Sequence, residues 1–342
     1  MQEAFSDETL MNFALGVPLQ RIKWPKLEAL GIEVIVRRDD LVHTRLSGNK
    51  FYKLFYNLQK AVGKTLLSFG GAYSNHIHAL AAAGNEYGFN TVGIIRGERP
   101  KQLSPTLVDA LAWGMRLHFV SRKVYQQKES IAFINQLYDQ FGDIYIVPEG
   151  GANLLGVKGC QAIVKATESR ESFDAICLAC GTGSTLAGVA SALNPDKKAY
   201  GISVLKGYDC LSDDVASFMR RVLISQGRED FVAEKLKLKH KGTEEGCVGI
   251  GKQSSPEYQN WEVVSRFHGG GYAKLSDELL TFINRFESHA SFVIEPVYTA
   301  KLFWAIETMA CEGLWSRGTR LVAVHSGGLQ GRRGFTMKQL SV

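Results

Sequence analysis

Short apolar, β-branched runs alternate along this chain with longer amphipathic runs. Period-2 and continuously apolar segments predict strands at 33–37, 65–69, 91–95, 116–120, 144–147, 175–179, 199–204, 261–265 and 320–324. Segments with apolar residues every three to four positions predict helices at 51–62, 76–87, 105–113, 128–141, 155–167, 185–193, 211–225, 276–286 and 300–312. Strand followed by helix, repeated, is the pattern of an α/β protein with mostly parallel sheets. Several strands run into glycine, at Gly70-Gly71, Gly150-Gly151, Gly181 and Gly327-Gly328. Ligands of open parallel sheets sit beyond the carboxyl ends of the strands, so these junctions are where chemistry is expected. The stretch 206–271 is less regular and richer in charge and glycine, as a surface excursion or a substrate-facing lid would be.

A length of 342 residues predicts about two domains. With 45% hydrophobic and 22% charged residues, the chain falls outside the disordered, collagen-like and disulfide-scaffold classes. The formal charge of 40 − 34 = +6 is mild for this length, and the densest basic run, Glu234 to Lys241, reads as a solvated face. Nucleic acid is therefore not an expected partner. The chain opens on an acidic, mixed segment without a basic start and apolar core, and no run approaches a membrane span, so neither secretion nor a membrane is expected. Six irregularly spaced cysteines do not form a disulfide framework, and a reducing cytoplasm is the plain expectation.

Four constellations carry candidate chemistry. In Cys180-Gly181-Thr182-Gly183-Ser184-Thr185, a strand meets a helix through a glycine turn. Its amides and hydroxyls suit a phosphate, helped by the helix dipole; a tight turn with a Ser/Thr cap explains it equally well. In Gly48-Asn49-Lys50, a lysine at a helix start has its basicity depressed by the dipole, and such an amine can form a Schiff base, or it is simply a solvated lysine, as most in this position are. In Gly70-Gly71-Ala72-Tyr73-Ser74-Asn75-His76, Ser74 and Asn75 stand at another junction, as functional groups or as helix caps. In His325-Ser326-Gly327-Gly328, a hydroxyl is presented beside flexible backbone, or the chain simply turns.

Three patterns are decoys. Cys177 and Cys180 have CxxC spacing, but three residues apart in a strand they face opposite sides, and no second pair exists. His76 and His78 are too few for a metal site, and no metal is expected. The run Gly246 to Gln253 resembles a P-loop but has Gln253 where magnesium needs Ser or Thr. No GxSxG elbow indicates a hydrolase triad.

Taken in order, Gly48-Asn49-Lys50-x-x-Lys53-Leu54, Gly70-Gly71-x-x-Ser74-Asn75-His76, Pro148-Glu149-Gly150-Gly151-x-Asn153, Thr182-Gly183-Ser184-Thr185-x-Ala187-Gly188, Glu295-Pro296-Val297-Tyr298-Thr299-x-Lys301 and His325-Ser326-Gly327-Gly328 resemble the pyridoxal-phosphate family of 1-aminocyclopropane-1-carboxylate deaminase and D-cysteine desulfhydrase. The resemblance runs from about residue 30 to 331. It implies the tryptophan-synthase-β-like architecture, fold type II: two open, mostly parallel sheets flanked by helices. A small α/β domain would span 51–153, a large one 1–50 plus 154–342, with pyridoxal 5'-phosphate in the cleft between them and a homodimer as the usual assembly.

By the same resemblance, Lys50 would hold the cofactor as a Schiff base and move protons once freed. Asn75 would bond the cofactor's phenolic oxygen. Gly181, Thr182, Gly183, Ser184 and Thr185 would hold its phosphate. Ser326 would face the pyridine nitrogen, where a neutral hydroxyl favours elimination over transamination. Ser74 would contact the substrate carboxylate and act as nucleophile or base, with Tyr73, Asn75 and His76 beside it. Tyr298 and Tyr272 would be the two tyrosines near the substrate. Tyr73 stands where the family commonly has Gln, and Thr299 matches the desulfhydrase branch rather than the deaminase branch. Leu329-Gln330-Gly331-Arg332-Arg333 replaces the family's Ala-Pro-Ala-Leu. The expectation is a lyase or deaminase, grouped with hydrolases in the deaminase case. It would act on a small amino acid by α,β-elimination to a 2-oxo acid and ammonia, D-cysteine before 1-aminocyclopropane-1-carboxylate. The competing expectations are a racemase on the same fold and a non-catalytic phosphate-ligand-binding protein.

Overall fold

The computed structural model describes residues 5–227 and 260–335. The basic run 234–241 and the P-loop-like run 246–253 lie outside the described residues, as do residues 1–4.

The strands are β1 (Leu19–Arg21), β2 (Glu33–Arg37), β3 (Thr65–Gly70), β4 (Thr91–Arg96), β5 (Arg116–Val120), β6 (Ile144–Val147), β7 (Ala175–Cys180), β8 (Lys198–Ser203), β9 (Trp261–Val264) and β10 (Arg320–Val324). They form two sheets, ordered β1-β2-β10-β7-β8-β9 and β5-β4-β3-β6. Every pairing is parallel except β1 with β2 at the edge. The expected α/β class with two mostly parallel sheets is the fold observed.

Parallel strands covered on both faces read as continuous apolar runs, which is why they are legible in sequence. Strand β7 shows this in its fully buried run Ala-Ile-Cys-Leu-Ala-Cys. Ile176, Leu178 and Cys180 enter one core cluster, and Ala175, Cys177 and Ala179 enter another on the opposite face. The CxxC pair is therefore split by the sheet; burial raises the Cys180 thiol to about 12 and pushes that of Cys177 higher.

Several elements escaped the sequence pattern, among them the short helix Pro25–Ala29, β1 and the N-terminal helix. Strand β1 is three residues long and has no period to detect. The helix Asp7–Gly16 carries a readable start, Ser6 capping the Thr9 amide with two acids in the first turn. The helix expected at 128–141 begins at Ile131, because Ser130 caps it and a separate short turn, Arg122–Tyr125, precedes it. No described helix is long and apolar enough to cross a membrane.

Candidate active site

The carboxyl ends of β3, β6, β7 and β10 open onto one cavity of about 890 Å³. Lys50, Ser74, Thr182, Tyr298 and Ser326 all line it, from five separated stretches of chain.

The lysine loop is fastened from below. Arg37, fully buried, donates to Asp39 Oδ1 at 2.9 Å and to the Tyr52 hydroxyl at 2.9 Å, and Tyr52 donates to the same carboxylate oxygen at 2.8 Å. The Gly48 amide donates to the Asp39 carbonyl at 2.9 Å. Gly48 has φ 70°, and a Cβ there would stand 1.8 Å from the Ser326 carbonyl, so only glycine lets the two loops touch. The helix Asn49–Lys60 starts at that contact. Lys50 Nζ and Lys53 Nζ both reach the Gly150 carbonyl, at 3.4 and 3.2 Å. Burial, then the neighbouring Lys53 charge, holds the Lys50 amine well below the usual lysine range.

The turn after β7 has the donor set of an anion site. Gly183 is the N-cap of the helix Ser184–Ala192, with φ 76° and no side-chain cap. The first-turn amides of a helix have no partner within it, so here they are left to a ligand. The Thr182 and Ser184 hydroxyls stand 3.1 Å apart, Lys53 Nζ donates to Thr182 Oγ1 at 3.4 Å, and Asn49 Nδ2 donates to Thr185 Oγ1 at 2.9 Å. Amides, hydroxyls and an ammonium together fit a phosphate, with Schiff-base-competent Lys50 beside them: the group that unites these needs is pyridoxal phosphate.

At the β3 end, Ser74 caps the helix Asn75–Tyr87 by accepting the Ile77 amide at 3.2 Å, as the capping reading expects, and it also lines the cavity. Tyr73 stands at the mouth, half-exposed, its ring against Gly334. His76 lines the cavity although only 2% exposed, its Nε2 bonded to Ser68 Oγ at 2.8 Å. Burial, then Lys50 and Lys53, holds that imidazole well below its ordinary pKa, hence neutral.

Tyr298 and Tyr272 meet edge to face at 6.0 Å. Burial raises the Tyr298 phenol well above its ordinary value, so it keeps its proton. Two residues quoted in the sequence motif without a role place this pair. Glu295, 1% exposed, accepts the Val297 and Tyr298 amides at 2.8 and 2.7 Å. Burial raises its carboxyl to about 7. Lys301, fully buried and lowered to about 8 by that burial, donates to the Gly271 carbonyl at 2.8 Å and so holds the loop bearing Tyr272. Thr299 is fully buried and bonded to the Glu295 backbone at 2.6 and 3.0 Å, away from the cavity lining. Thus Asn49, Lys53, Glu295 and Lys301 join the site from motifs that named them but assigned no work; their signal was charge or amide at buried, motif-internal positions.

Comparison with known proteins agrees with this geometry. Residues 13–327 match the family described as pyridoxal-phosphate dependent enzyme. A Thermotoga maritima protein named putative 1-aminocyclopropane-1-carboxylate deaminase is 30% identical over 89% of this chain and 91% of its own. An Arabidopsis thaliana protein named bifunctional D-cysteine desulfhydrase/1-aminocyclopropane-1-carboxylate deaminase, mitochondrial, is 30% identical over 93% of this chain and 77% of its own. In fold, the crystal structure of an ACC deaminase homologue superimposes with TM-score 0.75 at 24% identity, covering 95% of this chain and 93% of that one. These matches place the chain with lyases and deaminases, which corrects the hydrolase grouping expected from sequence. With the ordered motifs, the two parallel sheets and the lysine-and-phosphate cavity in place, the chain belongs to the pyridoxal-phosphate dependent enzymes and uses pyridoxal 5'-phosphate as its cofactor.

Proposed function

We propose that this enzyme catalyses α,β-elimination from a small amino acid, releasing ammonia and a 2-oxo acid, with D-cysteine as the leading substrate. The observation that carries this is the convergence of Lys50, Ser74, Tyr298 and Ser326 on one cavity, with an uncharged hydroxyl at Ser326 where the resemblance puts the pyridine nitrogen. The relative named as D-cysteine desulfhydrase and deaminase supports the substrate class.

When bound, the cofactor supplies an electron sink for the carbon bearing the amine. The protein does the rest. Lys50, its basicity depressed by burial, would attach the cofactor and, once freed, take or return a proton at Nζ. The turn Gly181–Thr185 and Lys53, with their amides, hydroxyls and amine, would hold the phosphate. Ser74 Oγ, whose lone pair is engaged by the Ile77 amide, keeps its own proton available to a substrate carboxylate or reacting carbon. The Tyr298 phenol, held protonated, is a proton donor on the far wall. Asn75 and Ser326 would contact the cofactor ring, and Tyr73, His76 and Tyr272 would shape the substrate end. We further infer a small unit within 51–153 and a large unit from the remainder, a homodimer, and a cytoplasmic location.

Purified, cofactor-supplemented protein should absorb near ~420 nm, as a lysine–cofactor Schiff base does. Borohydride should fix that chromophore to the Lys50 peptide. D-cysteine should then yield sulfide, pyruvate and ammonia. Formation of 2-oxobutyrate from 1-aminocyclopropane-1-carboxylate instead would shift the reading to the deaminase. Loss of chirality without ammonia would make it a racemase, and a colourless protein would leave only ligand binding. Lys50→Ala should lose borohydride trapping and at least about 10²–10⁴-fold in turnover; full turnover would remove Lys50 from this role.

A further inference from the structure

The turn Leu329–Gly334, which departs from the resembled pattern, lies across the Asn75 side of the cavity. Gln330 Nε2 donates to Asn75 Oδ1, and Gln330 Oε1 accepts from Thr106 Oγ1 at 2.6 Å. Thr106 is fully buried in the first turn of the helix Pro105–Ala112. The turn itself is anchored: Arg332 donates to Glu287 Oε1 at 2.6 Å, and Arg333 pairs with Asp109. Gln330 therefore bridges the turn after β10 to two helices of the four-stranded sheet.

A side-chain amide has one accepting end and one donating end. Gln330 occupies the accepting end of Asn75. The other end, Nδ2, has no acceptor among the described residues and lies against Gly328, where a Cβ would stand 2.4 Å from it. Asn75 and Gly328 both line the cavity. The Thr106 hydroxyl donates to Oε1, and Nε2 is the end of the Gln330 amide turned to Asn75.

We propose that Gln330 is a positioning residue: with Thr106, it fixes the amide of Asn75 so that Nδ2, not Oδ1, faces the phenolic oxygen of the bound cofactor. This rests on the reading above that Asn75 contacts that oxygen. An N–H donor there stabilises the phenolate, whereas a carbonyl would repel it. The family-like Asn75 is thus aimed in this chain by a glutamine the resembled pattern lacks.

The test is a pH titration of the visible absorbance of the cofactor-loaded protein, with no substrate present. Asn75→Ala and Gln330→Leu should each move the midpoint upward by about one unit, the effect of losing one hydrogen bond to a charged group. Thr106→Val should move it in the same direction by less. Cofactor content and thermal midpoint report whether each variant is intact; Thr106→Val, the milder change, serves if Gln330→Leu folds poorly. A wild-type midpoint in both Gln330→Leu and Thr106→Val, while Asn75→Ala shifts, would overturn the proposal. An unmoved midpoint in Asn75→Ala would overturn it too, yet leave the cofactor reading standing if Lys50 is still trapped by borohydride. Absence of the chromophore from the wild-type protein would defeat both.

Discussion

Two glycine-rich junctions look alike in sequence, Phe69 to Ser74 and Cys180 to Ser184, yet they start their helices in opposite ways. At the first, Ser74 turns its own oxygen back to the Ile77 amide and caps the helix from within. At the second, Gly183 occupies the cap position in the left-handed region and has nothing to turn back. A self-capped helix has engaged one of its free donors; a glycine-started helix offers all of them outward. Lys53 then gives the second junction a direct hydrogen bond from its amine, to Thr182 Oγ1. On the function proposed above, the difference would separate a place for a small hydroxyl that works on the substrate from a place for a phosphate.

Substitutions can break this contrast. The largest effect is expected at the self-capped junction, in chemistry rather than binding. Ser74→Ala should lower kcat about 10²–10⁴-fold while cofactor absorbance stays at the wild-type level, and it should cost about 1 kcal/mol of stability through the lost cap. Unchanged kinetics would reduce Ser74 to a cap alone. Gly183→Val should do the reverse. A Cβ there would stand 2.8 Å from Val215 at φ 76°, so the turn must open. With strain of roughly 1–3 kcal/mol, cofactor affinity measured by fluorescence titration should fall about tenfold to a hundredfold, and wild-type affinity would refute the anion assignment.

The smallest effect concerns the loop that aims Tyr298. The folded-state carboxyl of Glu295 is raised from 4.5 to about 7, so the native state binds its proton more tightly than the unfolded chain. Its contribution to stability is complete below the lower value and declines as pH rises through about 7. Thermal midpoints measured from pH 5 to 8 should fall on this account, and Glu295→Gln, which has no proton to lose, should flatten that slope. An identical slope in the variant would place the raised pKa elsewhere.

Much of the frame was legible because parallel strands buried on both faces are short, apolar and bounded by glycine. Strands β2, β5, β6 and β10 fall where periodicity put them. Strand β1 was illegible because it owes its conformation to pairing with β2, not to any pattern of its own. In the site, Lys50, Ser74, Asn75 and the 181–185 turn were legible because glycine and capping residues mark their junctions. Glu295 and Lys301 were not, because a buried charge is useful only through the backbone it grips, here the Tyr298 amide and the Gly271 carbonyl. Arg37, Asp39 and Tyr52 were silent for the same reason.

The sequence by itself determined the alternation of strands and helices, the glycines at their junctions and the ordered residue types of a pyridoxal-phosphate enzyme, since these depend on local conformation and burial period. Only the tertiary structure decided which junction caps itself, that two lysines three residues apart share the Gly150 carbonyl, and that Gln330 meets Asn75 across 255 positions. Such facts depend on hydrogen-bond direction between segments remote in the chain, and no local pattern encodes which distant partner a donor will face.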